Sequence, residues 1–268
     1  MGGAGVSERI AQDLLALLGT GRQSRRYEDL DMDAAYAIVA RIADLREARG
    51  ERPVGRKIGF TNTAIWPRYG VTGPMWNFLF DTTVQDLADL DAGFEIAGLA
   101  EPRIEPEIVL HLGSAPRPDM DEDELLGCID WIAHGFEIVQ SVFPGWKLTC
   151  AEAAAAFGLH GALLLGPRHD IAADRAAWGR MLTSFPVLLL RDGEVRDAGH
   201  ARQVLGGPLA SLRFLVTEIA RRPGSAPLAA GEIVTTGTLT DAQPVRPGET
   251  WTTELDGIPV RGLRLAIR

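Results

Sequence analysis

The length, composition and charge of this chain narrow its possible functions. It has 268 residues and a formal net charge of −9, which disfavours nucleic acid as a partner. No run of about 18 apolar residues is present, so we predict no membrane span and no membrane partner. The first residues lack a basic start followed by an apolar segment, so we expect a cytoplasmic protein without a secretory signal. Cys128 and Cys150 are isolated, and we predict neither a metal motif nor a disulfide from them.

The first fifty residues predict two helices. Ser7 is a suitable cap for a helix that runs through Leu18. Asp33 is a suitable cap for a second helix, which has apolar residues along one side and Gly50 after it. Together they predict an N-terminal helical layer over residues 1–52.

The remaining residues, 53–268, predict a β-rich unit, because short apolar runs alternate with Gly, Pro and Asp. The expected strands lie near residues 54–59, 78–84, 103–112, 135–142, 161–166, 184–190, 194–198, 232–238, 249–255 and 258–267. The expected helices lie near residues 121–133, 149–157, 171–183 and 207–222. Asp-Gly pairs at 192–193 and 256–257 predict hairpin turns. The sum is an α+β fold with a mostly antiparallel sheet that is closed or wrapped.

Three glutamates stand out because each lies in or beside an apolar, strand-like run. Glu105 and Glu107 are two positions apart and therefore share one face of their strand. Glu137 follows thirty positions later in a similar run. Burying an unpaired carboxylate is costly, and a hard divalent cation such as Mg²⁺ would supply the missing partner. The alternative is a solvent-facing strand edge, which Pro106 favours.

Two further segments have a possible role in binding. Lys57 is flanked by glycines in a short strand; it is either an ordinary edge charge or a lysine that faces a cleft, where it binds a carboxylate or moves a proton. Residues 231–240 form a strand that leads into a hydroxyl-rich loop. Such a loop suits an anionic or keto ligand, although threonine is also simply a good strand former.

In combination these segments are recognisable. Lys57-Ile58-Gly59, Glu105-Pro106-Glu107-Ile108, Glu137-Ile138-Val139 and the run from Gly231 to Leu239 follow one another in the order expected of one family. The chain resembles the 2-keto-4-pentenoate hydratase and 4-oxalocrotonate decarboxylase family, within the fumarylacetoacetate hydrolase superfamily, over nearly all its length. The resemblance implies a wrapped β-roll core as the catalytic unit, a Mg²⁺ or Mn²⁺ site, a small 2-oxo acid or dienoate substrate from aromatic-type catabolism, and a homo-oligomer.

The resemblance also implies roles for individual residues. The metal ligands would be Glu105, Glu107 and Glu137. The catalytic candidates would be Lys57 and Asp81. The substrate-binding candidates would be Phe78, Leu79, Thr236 and Thr238.

One segment departs from the family pattern. Family members often carry an Ala-Asp-Asn-like stretch before the strand at 161–166, whereas residues 154–160 here consist of alanines, Phe157, Gly158, Leu159 and His160. The polar pair is therefore missing, together with any proton transfer or water positioning that it supplies. We take His160 as a third catalytic candidate that partly substitutes for it; the alternative is a packed or capping histidine.

The leading hypothesis is a metal-dependent lyase that hydrates a 2-hydroxy-2,4-dienoate to a 4-hydroxy-2-oxo acid. The alternative is a decarboxylase of a 2-oxo-3-enedioate such as 4-oxalocrotonate, because both reactions pass charge onto the 2-oxygen next to a Lewis acid. Hydrolysis of an acylpyruvate ranks lower, since Lys57-Ile58-Gly59-Phe60 replaces the Asn-Tyr and His element of that branch. A non-catalytic partner subunit is a further alternative, suggested by the altered segment.

Overall fold

The computed structural model describes residues 2–27, 29–69 and 71–268. In these ranges the helices are α1 (Gly2–Leu15), α2 (Met32–Glu47), α3 (Trp66–Tyr69), α4 (Glu122–Gly127), α5 (Cys150–Ala155), α6 (Arg175–Leu182) and α7 (Pro208–Ala220). The strands are β1 (Pro53–Gly59), β2 (Met75–Phe80), β3 (Val84–Asp86), β4 (Arg103–Leu112), β5 (Ile129–Val139), β6 (His160–Asp170), β7 (Pro186–Arg191), β8 (Glu194–His200), β9 (Ile233–Thr238), β10 (Gln243–Pro244), β11 (Thr250–Leu255) and β12 (Arg264–Ala266). None of the helices described is both long and apolar enough to cross a membrane.

The strands form two sheets. The larger sheet has the order β2-β1-β9-β4-β5-β6-β3, and β10 pairs with β4. The smaller sheet has the order β12-β11-β7-β8. Only the β1–β9 and β3–β6 pairs are parallel among the described strands; the other pairs are antiparallel. The predicted α+β class with a mostly antiparallel sheet is confirmed.

Apolar clusters hold these layers together. The two sheets pack against each other through residues such as Ile104, Phe136 and Trp251. Further along β4 and β5, α4, α6 and α7 cover an apolar cluster that includes Ile132 and Leu215. Burial of such side chains is the main favourable contribution to folding.

The two N-terminal helices pack together with α5 in one further cluster. Ile10 and Leu14 from α1, Ile38 and Ile42 from α2, and Ala154 from α5 are all buried there. Asp31, rather than the predicted Asp33, caps α2 by accepting a hydrogen bond from the Ala34 amide. The proposed division of the chain at residue 52 stays a prediction.

The helix predicted over residues 121–133 is wrong in its second half. A capping box of Asp121 and Glu124 begins α4, but this helix ends at Gly127. Residues 129–139 then form β5, which pairs with β4 on one side and β6 on the other. Pairing on both sides of a central strand outweighs the local helical preference of this segment.

Further predictions need correction. The first helix, α1, begins before the expected cap at Ser7 and ends at Leu15 instead of Leu18. The strand expected at 78–84 is two strands, β2 and β3, separated by a turn at residues 81–83. The strand expected at 258–267 is reduced to β12, because residues 256–263 form a loop rather than a two-residue hairpin. The other Asp-Gly pair does form the predicted turn between β7 and β8, with φ values of 54° and 83° that suit a type I′ hairpin.

His134 connects the two sheets and is entirely buried. Its Nδ1 lies 2.8 Å from the Glu107 carbonyl oxygen, and its Nε2 lies 2.9 Å from Thr253 Oγ1 on β11. A carbonyl only accepts, so Nδ1 carries the proton and Nε2 accepts from the threonine hydroxyl. Burial lowers the pKa of His134 to about 4, so the ring is neutral in the folded protein at pH 7.

This histidine predicts a loss of stability in acid. Its pKa is about 6.5 in the unfolded chain, which therefore binds the proton more tightly than the folded protein. Its contribution is complete above pH 6.5 and is lost as the pH falls toward 4, by about 2 kcal/mol between pH 7.5 and pH 5. Urea unfolding should show that His134→Leu is less stable than the wild type at pH 7.5, and that the gap narrows by this amount at pH 5. An equal gap at both pH values would contradict the assignment.

Candidate metal centre and its cavity

The three glutamates meet because of the register of two neighbouring strands. Glu105 on β4 lies directly opposite Glu137 on β5, and Glu107 lies opposite Gly135. Directly opposed residues of an antiparallel pair project to the same face of the sheet, and Glu107 shares that face because it is two positions from Glu105. One ligand oxygen from each carboxylate lies within 4.8 Å of the others. The predicted cluster therefore exists in the folded protein.

An irregularity in β9 supplies a hydrogen-bond donor to this cluster. Val109 pairs with Thr235 and Glu107 pairs with Thr238, so β9 contains an extra residue at this point. Gly237 lies in this bulge with a φ of 101°, which favours glycine. Its amide donates to Glu107 Oε2 at 2.8 Å. The bulge thus turns a backbone N–H from the sheet toward a buried carboxylate.

The cluster carries more negative charge than its surroundings balance. Glu107 Oε1 has no hydrogen-bond partner in the described parts of the chain. Burial, followed by the neighbouring charges of Glu137 and Glu105, raises the pKa of Glu107 well above its usual range. Burial also raises the pKa of Glu105 to about 7, with Glu137 adding to the shift and Lys57 opposing it. Like charges directly opposite each other on a sheet are destabilising without a cation.

Lys57 is the buried cation beside this cluster. Its ammonium group donates to the Gly158 carbonyl oxygen at 2.9 Å and lies 3.3 Å from Glu137 Oε2. Burial works to lower the pKa of Lys57, but Glu137, Glu105 and Glu107 outweigh it and raise this pKa. Burial likewise works to raise the pKa of Glu137, but Lys57 and then His160 outweigh it and lower this pKa to about 2. The Lys57–Glu137 pair is therefore ionised.

His160 lies behind Glu137. Its Nδ1 is 2.7 Å from Glu137 Oε1, and its Nε2 is 3.0 Å from Thr83 Oγ1. Burial lowers the pKa of His160 more than Glu137 raises it, which favours a neutral ring whose Nδ1 donates to Glu137. These contacts suit a residue that orients Glu137, as histidine–carboxylate pairs orient metal ligands elsewhere. A direct catalytic role for His160 stays a prediction.

A cavity of about 260 Å³ opens beside the cluster. Its polar lining includes Lys57, Glu105 and Thr238, so the structure brings these three predicted residues to one space. Trp146 lies in the apolar part of the wall, and the Arg103 guanidinium stacks over its ring at 4.1 Å. A cavity of mixed polarity and this size suits a small organic acid.

Four other predicted residues make their contacts elsewhere. Thr236 Oγ1 donates to the Ile108 carbonyl oxygen at 3.0 Å. Leu79 is buried in an apolar cluster, and the Phe78 ring lies under a guanidinium group at 4.0 Å, that of Arg56. Asp81 accepts hydrogen bonds from the backbone and side chain of Arg52, which lower its pKa. Their proposed roles in binding and catalysis stay predictions, and these contacts favour structural roles.

The structure adds four residues that were not among the predicted site residues. The Gly158 carbonyl receives Lys57, and Asn77 Nδ2 donates to the Ala154 carbonyl at 2.7 Å. Thr61 and Asn62, in the loop after β1, line the cavity. The altered segment 154–160 thus contributes two backbone carbonyls, which do not require polar side chains, in addition to the His160 side chain. The sequence gives one indication of the Asn77–Ala154 hydrogen bond, namely a polar residue inside an otherwise apolar strand.

The residues present fit a hard divalent cation. The ligand set consists of carboxylate oxygens, which Mg²⁺ and Mn²⁺ prefer. A buried, unpartnered oxygen on Glu107 points to an absent positive charge, as the described residues show. Three carboxylates against the single charge of Lys57 leave room for two further positive charges.

The fold and this carboxylate cluster define a protein of the fumarylacetoacetate-hydrolase type. Residues 79–263 match the family model described as fumarylacetoacetate (FAA) hydrolase C-terminal. The chain is 31% identical over 229 residues to a 2-keto-4-pentenoate hydratase of Paraburkholderia phymatum, covering 85% of this chain and 84% of that protein. It is 29% identical over 256 residues to a 4-oxalocrotonate decarboxylase of a Pseudomonas species, covering 94% and 92%.

Structural similarity leads to the same fold. A 4-oxalocrotonate decarboxylase from Pseudomonas putida, solved with magnesium and adipate, has a TM-score of 0.84 and 24% sequence identity, over 99% of this chain and 97% of that one. This chain therefore belongs to the fumarylacetoacetate hydrolase family, and the predicted resemblance is confirmed.

Replacing Glu107 should separate metal binding from folding. Glu107→Gln replaces a carboxylate oxygen that has no hydrogen-bond partner among the described residues, so the metal-free variant should be at least as stable as the wild type. Its Mn²⁺ affinity should fall by about a hundredfold or more, because even changes around a ligand cost 10- to 100-fold. Calorimetric titration with Mn²⁺ and thermal unfolding measure the two effects. The control is Glu254→Gln, an exposed glutamate on β11. Unchanged Mn²⁺ affinity in Glu107→Gln would exclude this site.

Gly158 should tolerate no side chain. Its φ is 62°, and a Cβ atom there would lie 2.7 Å from Asn77 Cβ and 3.0 Å from Lys57 Cδ. Gly224 also has a positive φ, 82°, but its Cβ would meet nothing within 4 Å. Urea unfolding should therefore show a loss of about 1 kcal/mol for Gly224→Ala and about 2–4 kcal/mol for Gly158→Ala. Equal losses would show that the contact with Lys57 and Asn77 relaxes freely.

Proposed function

We propose that this protein is a metal-dependent hydratase that adds water to a 2-hydroxy-2,4-dienoate and produces a 4-hydroxy-2-oxo acid. One observation carries the proposal: a cluster of three carboxylates, with an unpartnered oxygen on Glu107, lies beside a small cavity that Glu105 and the protonated Lys57 line. A relative named as a hydratase, aligned over most of both chains, supports it. Small-molecule binding and membership of this enzyme family are common to all the alternatives.

The reaction balances as a tautomerisation followed by an addition. The dienol loses its 2-hydroxyl proton and gains a proton at C5, which gives a 2-oxo-3-enoate. Water then places a hydroxyl at C4 and a proton at C3. A bound Mg²⁺ or Mn²⁺ would act as a Lewis acid for the oxygens of the 2-oxo acid end. The chain itself must hold the substrate, balance the charge that forms on the 2-oxygen, and move the protons.

Lys57 is suited to the charge that forms on the 2-oxygen. Its pKa is raised, so it is an ammonium group in the resting protein, and it lines the cavity. An ammonium group at a buried site stabilises a nearby enolate oxygen more strongly than it would in water. His160, which also contacts Thr83, holds Glu137, and Glu137 pairs with Lys57. We propose Lys57 as the main catalytic residue and His160 as a positioning residue.

Decarboxylation of a 2-oxo-3-enedioate is a second candidate, and Arg103 is the observation that favours it. Its side chain lines the cavity and lies on the same face of β4 as Glu105. A guanidinium group at that position suits the second carboxylate of an enedioate, which a simple dienoate lacks. A decarboxylase among the similar sequences also supports this candidate.

Several further predictions from the sequence are part of this proposal. The three intact carboxylates support an enzyme over a non-catalytic subunit. The net charge of −9 supports the exclusion of nucleic acid. A homo-oligomer, a cytoplasmic location and the absence of a membrane partner stay predictions.

Turnover with and without metal tests the proposal. The purified protein should convert 2-hydroxypenta-2,4-dienoate to 4-hydroxy-2-oxopentanoate and incorporate ¹⁸O from labelled water at C4. Excess EDTA should abolish the reaction, and added Mg²⁺ or Mn²⁺ should restore it, because the carboxylates would otherwise lack their cation. Mass spectrometry identifies the product. Full activity in EDTA would contradict metal dependence, and CO₂ release from 4-oxalocrotonate without hydration of the dienoate would establish the second candidate.

A further inference from the structure

The loop after β1 is held in place through its backbone. Phe60 has a φ of 57°, which turns the chain sharply as it leaves the strand. The Phe60 carbonyl accepts a hydrogen bond from Trp66 Nε1 at 2.8 Å, and the Thr61 carbonyl accepts one from the Leu205 amide at 3.1 Å. These bonds fix the loop without using the side chain of Thr61. Its hydroxyl is therefore available for another purpose.

The hydroxyl of Thr61 is buried and unpaired. The residue is 2% exposed and lines the cavity, and its Oγ1 has no hydrogen-bond partner among residues 2–27, 29–69 and 71–268. Most buried polar side-chain atoms have a partner, and an unpaired one is costly. A hydroxyl left unpaired at a cavity wall indicates a group that binds in the cavity and completes its hydrogen bonding.

Thr61 lies at the carboxylate end of the cavity. A Cβ atom at Gly237 would lie 1.9 Å from Thr61 Oγ1, so the two residues are in direct contact. The amide of Gly237 is the donor to Glu107. The absence of a side chain at Gly237 thus allows the threonine hydroxyl to approach the cluster.

Asn62 adds a second donor to the same wall. The residue is 7% exposed and lines the cavity. Its Oδ1 accepts from the Ala64 amide at 3.0 Å, which orients the side chain and leaves Nδ2 as the group that can donate. A hydroxyl and an amide N–H on two successive residues of the cavity wall match a ligand whose oxygens only accept, as in a carboxylate.

We propose that Thr61 is a substrate-binding residue whose hydroxyl donates a hydrogen bond to the carboxylate of the 2-oxo acid. The assignment rests on the proposed function, because it needs a substrate whose carboxylate binds at the glutamate end of the cavity. It makes the loop after β1, together with the strand that carries Lys57, part of the recognition of the 2-oxo acid end. It leaves the opposite, apolar end of the cavity to determine which substituent is accepted.

Three variants separate this role from packing. Thr61→Val removes the hydroxyl but keeps the branched shape, and Thr61→Ser keeps the hydroxyl. The matched control is Thr235→Val, since Thr235 Oγ1 is also buried without a partner in the described chain. Thr235 lies in β9 between β1 and β4 and does not line the cavity. Calorimetry measures the binding of two probes, first Mn²⁺ alone and then oxalate in the presence of Mn²⁺. Steady-state kinetics give KM for 2-hydroxypenta-2,4-dienoate.

Thr61→Val should weaken oxalate binding and raise KM by about 10- to 100-fold, the effect of removing one hydrogen bond to a charged group. Its Mn²⁺ affinity should not change. Thr61→Ser should stay within about threefold of the wild type, and Thr235→Val should match the wild type.

Other outcomes overturn the assignment. Oxalate binding by Thr61→Val at wild-type strength would show that the hydroxyl bonds only a water molecule. Equal losses in Thr61→Val and Thr235→Val would show a packing effect. A wild-type protein that binds Mn²⁺ but neither binds oxalate nor turns over the dienoate would overturn the proposed function and this assignment with it. Normal wild-type turnover with an unaffected Thr61→Val overturns this assignment alone.

Discussion

The opposition of Glu105 and Glu137 across the β4–β5 pair is the constraint on which the site depends. Two carboxylates in this position repel each other, and Glu107 adds a third on the same face. The surrounding structure compensates in part: Lys57 pairs with Glu137, a bulge in β9 turns the Gly237 amide to Glu107, and His160 holds the other oxygen of Glu137. Two buried oxygens, Glu107 Oε1 and Glu137 Oε2, still have no hydrogen bond among the described residues, and a cation fits there.

The features that depend on local pattern could be predicted from the sequence. The bounds of β4 follow from a continuous apolar run, and the shared face of Glu105 and Glu107 follows from strand alternation. The approach of Glu137 could be inferred only through the family resemblance, because the register between β4 and β5 is a long-range property. The sequence predicts helix for the first half of β5, because the strands that pair with it on both sides are not adjacent to it in the sequence.

Two parts of the site could not be seen in the sequence. The Gly158 carbonyl and the Gly237 amide are backbone groups, and residue type does not reveal where they point. The sequence also does not show which face of the sheet each β2 side chain occupies, because the pairing of β2 with β1 sets it. This pairing puts Asn77 beside Lys57 and Phe78 beside Arg56. A one-residue difference in strand phase moves a side chain to the other face. This explains why the contacts of Phe78 differ from those expected of a substrate-binding residue.

The anchoring of Lys57 has a consequence for the entropy of ligand binding. A free lysine side chain has about 2 kcal/mol of rotamer entropy to lose when it is immobilised. Here the Gly158 carbonyl and Glu137 already fix the ammonium group, and Gly158 packs against the methylene chain. The rotamer entropy of Lys57 is therefore lost on folding, and a ligand that contacts Lys57 does not have to immobilise its side chain. The residue is preorganised, so more of the contact energy is available for affinity or for the transition state.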